Sequence, residues 1–464
     1  MRRPRYTLRN ERGIALILAI LVLLCLTGLV VAYLSVSAIE PQISRNLADA
    51  SRSRYLAEAG IERGFNVLVA STDWTSLVTT ASAGSPWVAV AGLTNTAISG
   101  ATAGGTFSVT VRNDNGGSDT PLTGLTGSTN PTMDNSPSVD SNGVLIMRSS
   151  GTFNGMTKTI EVVIRRTSLP PFPGAVNIPG RQSDTLVNSA AIDFDGRDYA
   201  CASIGSACDT ASNWNTTANP MKYGMAAQPG TQTNLGVAFD TNVKNGLNTP
   251  AKQSAVKGKS QTTGAYTTGT DTVAADASLN PTVMDKFVDL VASNPSTTIL
   301  QSTMGCPMVF TGAASGLTNT PTLTNGCGTN TTVNLGSRQD PKLVFFRGDI
   351  DTSSAFVGLS LNNGIKGAGI LVIQDGDMRN YGTLEWDGLV IVTGNYTSMA
   401  LWDRSSTTIR GAAVAYEANA GEASGYFDFY IGNVTSASIR SSKQNVDMVQ
   451  LMRSLHSVTN WREI

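Results

Sequence analysis

Histidine is nearly absent: His456 is the single one in 464 residues. A multi-histidine metal centre is therefore excluded, and any Ser-His-Asp or Cys-His arrangement would have to use this one ring. Most hydrolase classes are disfavoured with it. Charge is scarce too. Asp, Glu, Lys and Arg make up 14% of the chain and nearly cancel, to a net −1, so no global field steers the protein to nucleic acid or to an anionic surface. No phosphate-binding glycine loop, nucleotide fingerprint or basic patch is visible, and no nucleic-acid partner is expected. Cysteine is limited to five residues. Cys25 lies in an apolar stretch, where a lone thiol behaves as a small hydrophobe. The others form two local groups, Cys201 with Cys208 and Cys306 with Cys327. They lack the tight Cys-x-x-Cys spacing of a zinc site. In an oxidising compartment they are disulfide candidates, with three connectivities open.

What is abundant is equally informative. Ile14 to Ile39 is a run of 26 residues without a charge, behind a short leader that carries Arg2, Arg3, Arg5, Arg9 and Arg12. Roughly 20 apolar residues suffice to cross a bilayer core as a helix, and short basic flanks stay on the cytoplasmic side. The run predicts a single-pass helix with its N-terminus inside and the bulk of the chain exported. A cleaved secretory signal has an apolar core of only ~7–15 residues and a small-x-small site. Ser37-Ala38-Ile39-Glu40 is a poor match to such a site.

Beyond Glu40 the pattern turns amphipathic. Ile43, Leu47, Ala50, Ala57, Ile61, Phe65 and Leu68 recur at the spacing of one helix face, as expected of a helix half-buried on a partner layer. Pro41 is a candidate kink, and Gly60 and Gly64 weaken the helix locally. As one element, 14–70 makes a rod of roughly 85 Å.

These residues carry a family resemblance. Arg12-Gly13-Ile14-Ala15-Leu16-Ile17-Leu18, Ser44-Arg45-Asn46-Leu47 and Tyr55-Leu56-Ala57-Glu58-Ala59-Gly60-Ile61-Glu62 resemble the N-terminal domain of PilX-type minor pilins, over about the first 65 residues. The resemblance implies removal of a 1–13 leader by a prepilin peptidase, between Gly13 and Ile14. It implies packing of Ile14, Leu18, Leu21 and Leu29 in the inner membrane or against other pilins or pseudopilins. Most major pilins carry Glu at the fifth mature position; here it is Leu18. A buried carboxylate is costly unless paired. A subunit that enters a fibre first has no neighbour to supply that pair, so Leu18 suits a tip or priming subunit.

The exported part reads as β. Gly, Ser, Thr and Asn are plentiful, a composition that suits short strands and many turns. Residues 71–168 are expected to form a pilin-like head, with strands at 105–111, 143–149 and 157–165 packed on the helix. Pro170-Pro171-Phe172-Pro173 marks a boundary, since prolines cannot continue a ladder. The next domain, 175–440, is rich in Gly, Ser and Thr. One helix is expected at Pro281 to Ala292, with Val283, Phe287, Leu290 and Val291 on its apolar face. Leu343–Phe346, Gly369–Ile373, Gly388–Val392 and Gly411–Ala415 are short apolar runs that start 19 to 26 residues apart. Continuous apolar runs suit strands buried on both faces. Their repetition predicts a parallel β-solenoid, with a β-sandwich as the alternative. Asn445–Leu455 has helical spacing, and 441–464 is expected as a C-terminal helix and tail. The fold class is thus α+β, a long N-terminal helix followed by β-rich domains.

Candidate sites are few. Asp193, Asp195 and Asp198 cluster around Gly196 and are the calcium candidate, although Asx turns explain them equally well; Asp349-Ile350-Asp351 and Asp375-Gly376-Asp377 are weaker and look like solenoid or hairpin corners. No cofactor is otherwise expected. Trp386, Tyr396, Trp402 and Tyr426–Tyr430 are candidate exposed aromatics for a surface or glycan ligand. Glu385, Asp387, Asp403 and Arg404 are the nearest approach to an acid–base set for a polysaccharide-active enzyme. Three function classes follow. The leading one is a non-enzymatic minor pilin of a type IV pilus or secretion pseudopilus. The second is a membrane-anchored adhesive or carbohydrate-binding protein, and the third an anchored polysaccharide-active enzyme.

Overall fold

The computed structural model describes residues 12–464, apart from 99–103, 117–118, 126–131, 181–182, 203–207, 209–210, 233–235, 266–271, 304–305, 311–316, 326–327, 329, 349–356, 396 and 418–426. The leader residues 1–11, Cys327, Asp349, Asp351, Tyr396 and Tyr426 thus lie outside the described residues. The chain forms two compact units. The first comprises Met1–Leu68, Asp73–Arg165 and Val458–Ile464, and the second Val69–Thr72 and Arg166–Ser457. The second unit is therefore inserted into the first along the chain.

In the first unit, helix α1 (Arg12–Val69) runs unbroken through Pro41. Its lower half lies on an antiparallel sheet of β1 (Thr106–Asn113), β2 (Val144–Phe153) and β3 (Met156–Arg166). The two-residue strands Val88–Ala89 and Thr96–Ala97 add to β1. An Asn154-Gly155 turn with φ of 48° and 81° joins β2 to β3, the left-handed pair that a tight hairpin requires. Helix and sheet approach at backbone distance. A Cβ on Gly60 would collide with Ser149 and Phe107, one on Gly64 with Met147, and one on Gly151 with the helix backbone at Ser53 and Ala57. The helix glycines that weaken the local propensity are thus what allows close packing.

Two expectations for the head change. Ala57, Phe65 and Leu68 are buried, but Ile43 and Leu47 are 61% and 68% exposed, because within the first unit no strand lies over that stretch of helix. The stretch after Ser457 is no tail: His456–Glu463 is a strand paired with β3 at the sheet's edge. The 441–464 segment is consequently divided between the two units.

In the second unit, β4 (Ile192–Asp195), β5 (Lys342–Arg347), β6 (Ile365–Gln374), β7 (Thr383–Gly394), β8 (Ser406–Glu417) and β9 (Ser436–Ser441) belong to one sheet, in the order β4-β9-β8-β7-β6-β5. Every pair among them is parallel. Val357–Leu361, Asp377–Asn380, Met399–Leu401, Phe429–Ile431 and Thr185–Val187 form a second parallel ladder. From β5 to β9 the chain alternates between the two, one strand in each per turn.

The four apolar runs lie side by side, with Leu343, Ile370, Leu389 and Ala412 in register. One face of each run, such as Leu371, Val390 and Ala413, packs toward the second ladder's Met378, Met399 and Phe429. The other face, Ile370, Leu389 and Val414, is covered by α2 (Pro281–Ser293) and α3 (Lys443–Gln450). Burial on both faces explains why these runs do not alternate. Gly369, Gly388 and Gly411 are mutually in register and have φ of 116°, 130° and 149°. A Cβ at each would strike the carbonyl oxygen of the preceding rung.

Helix α2 sits where expected, capped by Asn280, whose side chain accepts from the Thr282 amide. Its buried face is Met284, Phe287, Val288 and Val291, whereas Val283 and Leu290 are 45% and 52% exposed. The docking side is thus rotated from the expected one. Along 174–275, three short parallel strands, Gly174–Ile178, Tyr223–Ala227 and Val273–Ala275, extend the first sheet.

Candidate functional site

The upper half of α1 is the first candidate. Ile14, Leu18, Leu21 and Leu29 are each 59% to 69% exposed. Among the described residues one helix, Gly13–Val69, is long and apolar enough to cross a membrane; its most apolar window reaches a mean hydropathy of 3.2, with none of it buried. Two of its hydroxyls are satisfied internally. Thr27 donates to the Leu23 carbonyl at 2.9 Å and Ser35 to Val31 at 2.8 Å, which removes the cost of carrying them into hydrocarbon. The uncovered apolar surface continues as Ile43, Leu47 and Tyr55.

The second candidate lies on the helix-side face of the first sheet in the inserted unit. Glu385 and Asp387 of β7 project from one side, two residues apart as strand periodicity requires. Arg410 of β8, directly in register with Asp387, sits 3.2 Å from its carboxylate and 3.8 Å from that of Glu385. Arg338 approaches Asp387 at 3.6 Å, and Asn445 of α3 donates to it at 3.2 Å. Glu385, Asp387, Arg410, Arg338 and Lys366 line a cavity of about 250 Å3. Burial pushes the Asp387 carboxyl up, against the pull of Arg410 and Arg338. The two carboxylates share one guanidinium, which holds them as an ion-pair network rather than as a free acid and base. Asp403 and Arg404 belong elsewhere, in a turn where Asp403 accepts from the Asn433 amide. Arg338, Lys366 and Arg410 escaped the sequence reading. Aligning the rungs on Gly369, Gly388 and Gly411 would have found Arg410, since it then falls opposite Asp387.

A short hairpin, Tyr199–Cys201 with Trp214–Thr216, belongs to the same region. Cys201 and Cys208 are disulfide-bonded and cluster with Tyr199 and Trp214. Arg338 and Arg410 stack on the Trp214 ring at 4.7 and 5.0 Å, and Arg440 on Tyr199 at 4.8 Å, contacts of the cation–π kind. Cys306 is also disulfide-bonded.

The calcium candidates do not converge. Asp193 pairs with Lys257 at 2.9 Å and Arg440 at 2.8 Å. Asp195 accepts from Arg197 and, at 2.7 Å, from Tyr199. Burial opposes its charge, yet these hydrogen bonds hold its carboxyl below the usual range. Asp198 accepts from Thr217, Asn219 and the Lys443 amide. Among the described residues no group of three or more His, Cys, Asp or Glu is arranged to hold a metal ion.

The aromatic set also divides. Trp386 and Phe429 are not exposed at all but fully buried, the Trp386 ring donating to the Gly369 carbonyl at 3.1 Å. Trp402 and Tyr430 remain partly exposed beside Tyr381, with centroids 5.7 Å (Tyr381–Trp402) and 5.0 Å (Trp402–Tyr430) apart. His456 is buried, with Nδ1 3.0 Å from the Met452 carbonyl. Burial lowers its pKa, which suits a neutral packing residue.

No family model matches the chain, and neither does any curated protein. Among solved structures it is similar to the competence-associated pilin ComZ from Thermus thermophilus, at 10% identity and a TM-score of 0.24, over 90% of this chain and 97% of that one.

Proposed function

We propose that this chain is a minor pilin-like subunit of a bacterial type IV pilus or related secretion pseudopilus, acting by assembly rather than by catalysis. The observation that carries this reading is the division of α1. Its lower half is seated on an antiparallel sheet through glycines, while its upper half is a bare apolar rod. A rod of that kind is stable in two settings, a bilayer core or a bundle of like helices. Exchange between the two is what subunit incorporation requires. The N-terminus lies inside, the leader is removed between Gly13 and Ile14 by a prepilin peptidase, and the inserted unit, a short parallel β-solenoid, is displayed outside. The absence of an acidic residue between Ile14 and Ile39 supports a tip or priming position. Intact mass or N-terminal sequencing of the protein from sheared pili tests the proposal. A mature chain beginning at Ile14, lost in Gly13→Ala, supports it; a full-length chain confined to membranes overturns it.

A second reading, an anchored adhesive or carbohydrate-binding protein, is favoured by the half-exposed Tyr381, Trp402 and Tyr430 group. Glycan-array binding that disappears in Trp402→Ala would select it.

A further inference from the structure

The head's sheet is not complete when the chain leaves it at Arg166. The strand that completes it, His456–Glu463, is reached only after the inserted unit. Its place is chemically demanding. Glu161 of β3 is fully buried and is held by Arg148 of β2 at 2.9 Å and by Arg462 of the returning strand, whose Nε donates at 3.1 Å. Lys158 pairs with Glu463 at 2.6 Å, Arg54 stacks on Trp461 at 5.4 Å, and the Ile464 amide donates to Thr159. Without that strand β3 becomes a bare edge, and a buried carboxylate loses one of its two cations.

Inside the inserted unit, the points where the chain enters and leaves are clamped together. The Thr167 amide donates to the Leu455 carbonyl at 2.8 Å. Gln450 of α3 donates to the Thr167 carbonyl at 3.2 Å and accepts from the Leu169 amide at 3.0 Å. Asn294, just past α2, donates to the Ser454 carbonyl. The helices that cover the rungs thus also pinch the two crossings. In an unfolded insert the two crossings are joined only by a very long flexible loop, whose closure is entropically costly.

We propose that this clamp makes completion of the helix-bearing head conditional on prior folding of the inserted unit, so that a chain with an unfolded insert presents an unfinished head. The dependence runs one way. The insert closes its own crossings, whereas the head borrows a strand delivered by them. It holds whether or not the chain enters a fibre.

Hydrogen exchange on the full-length protein in detergent micelles, across mild urea concentrations, tests this. The amides of β3 and of 458–464 are expected to lose protection at the urea midpoint of β6–β8, while amides shared by β1 and β2 stay at least tenfold slower. Gln450→Ala is expected to move that shared midpoint down. Arg462→Ala is expected to speed exchange in 458–464 at least tenfold and leave β6–β8 unchanged. Protection of 458–464 that persists after β6–β8 have opened overturns the proposal. So does an Arg462→Ala variant in which β6–β8 accelerate equally, since the units would then be one cooperative block. A chain stopped after Ser457 gives the independent check: an added 456–464 peptide should restore protection to β3, and failure to do so counts against a separable closing strand.

Discussion

Both units bury a β-sheet under helices, and they are held by different forces. In the inserted unit the rungs are continuous apolar runs, covered on one face by the second ladder and on the other by α2 and α3. In the head the sheet is seated on α1 through glycines and closed at its edge by ion pairs around Glu161. The first arrangement is tolerant of sequence, because any apolar side chain of similar size stacks on its neighbour. The second depends on a few named contacts whose loss leaves a buried charge.

The largest effect is expected inside the rungs. Trp386→Ala should destabilise the inserted unit by about 3–5 kcal/mol, the usual cost of truncating a buried aromatic, as read by urea unfolding. Should its cost stay below that of the charge deletions in the head, the contrast between the units breaks down. Next comes the backbone constraint. Gly388→Ala must adopt a left-handed φ against a neighbouring carbonyl and should cost about 1–3 kcal/mol. The same change at Gly84, where a Cβ meets nothing, should be nearly neutral.

Arg462→Ala should cost the head about 1–2 kcal/mol, less than a fully buried pair because Arg462 is half-exposed and Arg148 remains. Arg462→Lys should recover only part of it, since a single ammonium cannot reproduce the fork. Thermal unfolding followed within the head reads both.

A further effect is a pH dependence of the head. Asp114 is buried, and this burial, with Asp134 and Asp140 nearby and against the opposing pull of its hydrogen bond from Asn142, pushes its carboxyl up to about 7. The unfolded group releases its proton at about 4. Its favourable contribution is therefore fully present below pH 4, declines between about 4 and 7, and is constant above. The head should melt lower at pH 7.5 than at pH 5, and Asp114→Asn should flatten that difference.

Much of this was legible in residues 14–70, because helix periodicity and hydropathy are local properties. The rungs were legible for the same reason: in three of the four, glycine and the apolar run repeat together, and Ile370, Leu389 and Ala412 align once Gly369, Gly388 and Gly411 are aligned. Tertiary context decided the rest. Ile43 and Leu47 carry the pattern of a buried face but meet no partner in the head. Trp386 reads as a surface aromatic but fills the interior. Asp193, Asp195 and Asp198 look like a cation site, yet each is satisfied by a cation or hydroxyl from another strand or the following turn.

By itself, the sequence determined that the chain has a long apolar helix, few charged groups and a repeated short apolar run, because each depends on composition and short-range spacing. Only the tertiary structure decided that one unit is inserted into the other and that the stretch after Ser457 is the strand closing the head. Pairing between segments so far apart along the chain leaves no periodic trace in either. It is set by where the folded insert returns the chain, and by the charge waiting there at Glu161.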